Sequence, residues 1–150
     1  MADQEVRWLS PEEQQAWRAF LTATQQLFEE LDRQLHRDSG LSHGYYEILV
    51  RLSEAPGRTL RMSELAERSM SSRSRLSHAV ARLEEAGWVA REACPTDRRG
   101  LLATLTDEGF AVLAGAAPGH VRAVREHLFD RLSDDQVRQL REISQAVLDR

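Results

Sequence analysis

The chain has 150 residues, enough for one domain with a sizeable core, and its 41% hydrophobic and 29% charged content is that of an ordinary globular protein. No apolar run approaches the roughly 18 residues of a membrane span, and the first ten residues lack the basic start and apolar stretch of a signal peptide. The lone cysteine excludes an intrachain disulfide and suits a cytoplasmic protein, while the net charge of −4, taken whole, argues against a nucleic-acid partner.

Ser10, Pro11 and Glu13 announce the first helix with a capping box and a proline at its first position. Trp17, Phe20, Leu21, Leu27, Phe28, Leu31 and Leu35 form one apolar stripe along it, and Ser39-Gly40 predicts its end. A second helix starts near Ser42, carries Tyr45, Tyr46, Leu49 and Leu52, and closes at Pro56-Gly57. Residues 59–61 read as a short extended piece, 62–68 as a brief helix, and 69–72 as a turn with Ser71 as the N-cap of the next helix. Short helix, turn, helix is the grammar of a helix-turn-helix.

The stretch 71–100 carries the chemistry. Leu76, Ala79, Val80 and Leu83 recur at helical spacing and point inward, leaving Ser74, Arg75, Ser77, His78 and Arg82 on the outer surface. Gly87 stops this helix. Residues 88–92 are strand-like, and a Pro-Thr-Asp-Arg-Arg-Gly tip returns the chain into residues 101–105. Leu76, Val80, Leu83, Trp88 and Leu105 read as core. From residue 58 to 101 there are nine arginines against six carboxylates, whereas the rest of the chain has 11 against 18. A basic segment inside an acidic protein is a local electrostatic footprint for nucleic acid, whatever the net charge.

Thr106 caps a further helix containing Phe110, Leu113, Val121, Val124, Leu128 and Phe129, which Pro118 between Gly115 and Gly119 is expected to kink or interrupt. Ser133 and Gln136 open a last helix with Val137, Leu140, Ile143, Val147 and Leu148 on its stripe. The predicted fold is mainly α. A winged helix-turn-helix lobe (residues 41–105) with a two-stranded β-hairpin wing is flanked by long helices at 10–40 and 106–150, in one domain over 1–150. The apolar faces of the flanking helices have little to cover them in a monomer, so dimerisation through both ends is expected.

A helix of this kind followed by an arginine-loaded hairpin is built to read double-stranded DNA. Ser74, Arg75, Ser77 and His78 lie where base edges are reached; Arg75 has the fork geometry for guanine. Ser71, Ser72 and Arg73 lie where phosphate meets a helix N-terminus, and Arg82, farther along, suits phosphate.

Met62 to Ser69 (MSELAERS), the Leu-Glu-Glu-Ala-Gly-Trp-Val run at 83–89, Asp97-Arg98-Arg99-Gly100 and Leu-Thr-Asp-Glu-Gly at 105–109 occur in this order and spacing. With them the chain resembles the MarR (multiple antibiotic resistance regulator) family of winged helix-turn-helix transcription factors over about residues 10–149. The resemblance implies a homodimer on a pseudo-palindromic operator, with half-sites about 10 bp apart. It implies a repressor released by a small aromatic or lipophilic effector. Arg99 would enter the minor groove, its guanidinium oriented by Asp97, while Arg98 serves the backbone. The effector cleft would lie between the dimer helices and the DNA-binding lobe, with Trp17, Phe20, His43, Tyr45 and Tyr46 as candidate lining residues.

Other chemistries find less in the sequence. The five histidines form no HxH or HxxxH pair, so no metal is expected, and no glycine-rich phosphate loop or nucleophile motif points to a cofactor or an enzyme. Cys94 sits in the wing, open to oxidation or simply unremarkable. Two alternatives stay open: a winged-helix module that binds protein rather than DNA, and a constitutive regulator with no ligand.

Overall fold

Capping side chains set where the helices begin. In the computed structural model, which describes residues 6–69 and 71–149, the Ser10 hydroxyl accepts from the Glu13 N–H at 3.1 Å while Glu13 Oε2 accepts from the Ser10 N–H at 2.7 Å. Helix α1 accordingly starts at Pro11 and runs Pro11–Ser39, stopped by Gly40 at φ +69°. Ser42 caps α2 (His43–Glu54), a 3-10 turn at Pro56–Arg58 leads into β1 (Thr59–Arg61), and α3 (Met62–Arg68) follows directly.

Helix α4 (Arg73–Glu85) is capped by Ser72, not by Ser71: the Ser72 hydroxyl accepts from the Arg75 N–H at 3.2 Å. Ser71 belongs to the preceding turn, where its N–H donates to the Ala66 carbonyl at 3.3 Å. Two serines in succession satisfy the same cap preference, and the turn's own hydrogen bond selects between them.

The wing is longer than the sequence suggests. Strand β2 spans Val89–Cys94 and β3 spans Asp97–Leu105, so Arg98 and Arg99 lie in a strand and the turn shrinks to Pro95-Thr96. Cys94 pairs with Asp97 across that turn after a register shift at Ala93/Cys94. The extended piece at residues 59–61 adds a third strand, giving an antiparallel sheet in the order β1-β3-β2 with Leu60 opposite Ala103. Alternation along β3 sends Ala103 and Leu105 into the core.

That core joins Leu49 and Leu52 of α2, Leu65 of α3, Leu76, Val80 and Leu83 of α4, and Val89, Ala103 and Leu105 of the sheet. Each of the leucines and valines among them contributes about 1.5–3 kcal/mol of burial. Trp88 is half-buried at its edge. Leu35 at the end of α1 and Leu113 and Ala116 of α5 (Asp107–His127) extend the core toward the flanking helices.

Helix α5 is continuous, against the expected break at Pro118. The proline ring lies on the exposed side, while Leu113, Ala116, His120 and Ala123 are buried where α5 packs on α1 and α2. The lost hydrogen bond therefore falls where water can replace it, while the opposite side stays packed. A 3-10 turn (Phe129–Arg131) leads to α6 (Asp134–Leu148), none of whose residues is buried in the single chain. Among the described residues, no helix is long and apolar enough to cross a membrane.

Candidate nucleic-acid interface

The junction before α5 fixes how the wing leaves the recognition helix. Gly87, at φ +80°, turns the chain out of α4, and its carbonyl accepts from the Thr106 hydroxyl at 2.7 Å. The same hydroxyl accepts from the Gly109 N–H at 3.0 Å. Gly109 has no room for a side chain: a Cβ there would collide with the Trp88 carbonyl. This close approach locks the base of the hairpin to α5.

Burial along α4 follows the apolar stripe. Leu76, Val80 and Leu83 are buried, while Ser72, Arg73, Ser74, Arg75, Ser77, His78 and Arg82 are exposed on the other side; Ser71 is half-buried. All the residues read from the sequence as a DNA-facing surface on α4 itself thus share the solvent side of one helix. On the wing, Asp97, Arg98 and Arg99 are exposed as well.

Helix and wing face one another across a groove of about 380 Å³, lined by Arg73 and Ser77 from α4, Asp97 and Arg99 from β3, Arg61 from the end of β1 and Ser63 from the start of α3. Three guanidinium groups and one carboxylate converge there. Among the described residues, Arg73, Arg75, Arg98 and Arg99 form no ion pair, so their charge is uncommitted. Arg82 is 3.5 Å from Glu85, but both are well exposed and the pair is easily exchanged for another anion.

The expected orientation of the Arg99 guanidinium by Asp97 is not what the structure contains. Asp97 Oδ1 accepts from the Arg99 main-chain N–H at 3.0 Å, and Oδ2 lies 3.7 Å from Arg61 Nη1. The carboxylate thereby shapes the backbone of the turn and leaves the Arg99 side chain free. Arg61 also donates from Nη2 to the Thr96 hydroxyl at 3.2 Å, tying β1 to the wing tip. Sequence reading missed Arg61 because its partners lie some 35 residues away. Cys94 is buried beside Thr96, whose hydroxyl oxygen is 3.4 Å from the sulfur; this hydrogen bond, with the nearby Arg61 charge, holds the thiol below its usual range.

A second cleft, of about 700 Å³, runs between α1, α2 and α5 on one side and the α3–α4 turn and α4 on the other. His43 and Tyr45 line it. Tyr46 is instead buried, its ring 4.4 Å from that of His120. Trp17 and Phe20 stack on each other at 6.5 Å on an exposed stretch of α1 outside the cleft. Sequence reading missed His120, Arg51 and Phe28 here, and did not foresee that Arg75 reaches the cleft wall. Burial, and then the neighbouring His43, push the His120 imidazole below its usual range, while burial pushes the Tyr46 phenol up.

Comparison with known proteins places this geometry. A family model described as the MarR family matches residues 39–100. The crystal structure of Sco3205, a MarR family transcriptional regulator from Streptomyces coelicolor in complex with DNA, is 56% identical, covers 96% of this chain and 91% of its own, and superposes with a TM-score of 0.92. The transcriptional regulator HosA of Escherichia coli O111:H- is 33% identical over 113 residues, 74% of this chain and 81% of HosA. The HTH-type transcriptional repressor YetL of Bacillus subtilis is 35% identical over 104 residues; the match spans 67% of this chain but 62% of YetL.

Proposed function

The chain belongs to the MarR family, and from that premise we propose that it is a homodimeric, sequence-specific DNA-binding regulator, a repressor released by a small aromatic or lipophilic effector. One observation carries the DNA reading. The exposed face of α4 and the Arg99 strand of the wing meet at one groove, and four of their arginines are unpaired among the described residues. The complex of Sco3205 with DNA supports it. In this reading Ser74, Arg75, Ser77 and His78 meet base edges in the major groove. Ser71, Ser72, Arg73 and Arg82 meet phosphates; Arg99 enters the minor groove, Arg98 lies on the backbone, and Asp97 shapes the turn that presents them.

Two recognition helices in successive major grooves need two chains. The surface for the second copy is supplied by Trp17, Phe20, Leu21, Ile143, Val147 and Leu148, all exposed in the single chain. The 700 Å³ cleft, with His43 and Tyr45 on its wall, is the seat for the effector.

Selection of bound duplexes from a random library by the purified full-length protein tests the assignment. The expected product is a pseudo-palindrome with half-sites about 10 bp apart. Failure to enrich any duplex at low salt, or enrichment of a single undivided half-site, would overturn it.

A further inference from the structure

Beyond Leu102 the wing loses its third strand. Strand β1 ends at Arg61, opposite Leu102, so Asp97 to Leu101 of β3 run on with β2 alone as a neighbour. The ladder is irregular there as well, shifting register between Ala93 and Cys94 before Cys94 meets Asp97 at the tip. A two-stranded ribbon has little stability of its own. Arg98 and Arg99 both sit on this projecting part.

One side chain reaches the tip from the body of the lobe. Arg61 donates from Nη2 to the Thr96 hydroxyl at 3.2 Å and sets Nη1 3.7 Å from Asp97 Oδ2. Its own main chain is held from the other direction, the N–H donating to Glu64 Oε2 in the first turn of α3 at 3.3 Å. Both residues that it grips are tied into the turn. The Asp97 carboxylate accepts from the Arg99 N–H at 3.0 Å, and the Thr96 hydroxyl is 3.4 Å from the Cys94 sulfur. Gly100 closes on the same point: a Cβ there would lie 3.1 Å from Asp97 Oδ2 and 3.2 Å from the Cys94 Cβ. The pair is half-exposed, with 43% of the Arg61 side chain and 47% of the Asp97 side chain accessible, so it adds little to global stability.

Resting on the DNA-binding reading above, we infer that Arg61 is a positioning residue for that interface: it meets no nucleotide, and holds the wing tip in the pose from which Arg99 enters the minor groove. Its charge is already committed to Asp97, so it adds no counterion release of its own. What it supplies is order. Without the brace, binding must immobilise the ribbon as well as the arginine, and that entropy is lost from affinity. The wing reads minor-groove width, so Arg61 governs the preference for base pairs under the wing and not for those under α4.

The test uses the full-length protein, the duplex recovered by selection, and a second duplex with G·C pairs replacing the minor-groove site under the wing. Arg61→Gln should weaken binding to the first on the order of fivefold, near the ceiling for one exposed ion pair and one hydrogen bond. The Tm and the salt slope should stay parental. The two duplexes should come closer in affinity, while mismatches under α4 keep their cost. In an Arg99→Ala background the same change should have no further effect. Thr96→Val, which removes one of the two contacts, should act in the same direction to a smaller extent, and keeps the test open should Arg61→Gln disturb α3. The inference is overturned if both variants bind as the parent does, if both duplexes lose affinity alike, or if the loss adds in full to that of Arg99→Ala. A salt slope lowered by about 1 would also overturn it, since Arg61 would then be meeting phosphate itself. Absence of duplex binding by the parent would instead sink the DNA reading. Backbone order parameters of residues 96–100 from NMR relaxation of the free protein would still decide the brace: they should fall in Arg61→Gln, and unchanged values would overturn it.

Discussion

Glu84, in the last turn of α4, holds Arg91 of the wing by both main chain and side chain. Its Oε2 accepts from the Arg91 main-chain N–H at 3.0 Å, and its Oε1 accepts from Nη2 at 3.1 Å. Helix α4 and strand β2 are thereby joined side by side, through contacts that involve neither Arg75 nor Arg99. Those hydrogen bonds, with the Arg91 charge, hold the Glu84 carboxyl below its usual range.

The first prediction concerns that bond. A carboxylate with a depressed folded pKa binds fewer protons folded than unfolded, so its stabilisation is present above the unfolded value of 4.5 and lost as pH falls through the folded pKa. Glu84→Gln should flatten the acid limb of a Tm-versus-pH profile below about pH 4.5. It should also weaken duplex binding without altering the preferred sequence, since it frees the wing but leaves α4 intact. An acid limb identical to the parent's would mean the pair contributes nothing.

Two arginines should fail in different ways. Arg75→Ala should cost about 1–3 kcal/mol of duplex binding and relax the preference at one position of each half-site. Arg99→Ala should weaken binding and lower the salt slope by about 1, because it removes a contact made mainly with charge and groove shape. Salt-dependent anisotropy titrations on matched and mismatched duplexes distinguish the two.

Gly109→Ala should destabilise by about 1–3 kcal/mol, because the added methyl group meets the Trp88 carbonyl, which cannot swing aside as the neighbouring Leu105 side chain could. Urea unfolding followed by circular dichroism measures it. An unchanged midpoint would show that α5 can shift away from the hairpin at no cost.

His120 predicts a second pH dependence, near neutrality. Burial, and then the neighbouring His43, depress its pKa, while Glu47 acts the other way. The folded chain therefore resists a proton that the unfolded chain takes up near 6.5, and stability should decline as pH falls below that value. His120→Gln should remove this part of the decline in calorimetric scans between pH 7 and roughly pH 5.

The dimer proposal rests on α6 and the outer part of α1. Ile143 and Val147 are 63% and 69% exposed in the single chain, so changing both to Glu should leave the fold's circular dichroism intact. Sedimentation should then report a shift from dimer to monomer, because two carboxylates cannot be buried unpaired in an apolar seam. A parent protein that sediments as a monomer would remove the premise.

How much of this was legible without coordinates depends on range along the chain. The caps at Ser10, Thr106 and Ser133 and the inward stripe of Leu76, Val80 and Leu83 were readable, since each is decided within a turn or two of helix. The choice of Ser72 over Ser71 was not, because it turned on a hydrogen bond back to Ala66. Nor was the continuity of α5 through Pro118, which depended on which side of the helix met the rest of the protein. Arg61 reached Thr96 and Asp97, and His120 reached Tyr46 and His43, only once distant segments had packed. Periodicity and capping act locally and so are written in the order of residues. The grouping of arginines across a groove, and of histidines beside a cleft, arises from which surfaces the core brings face to face.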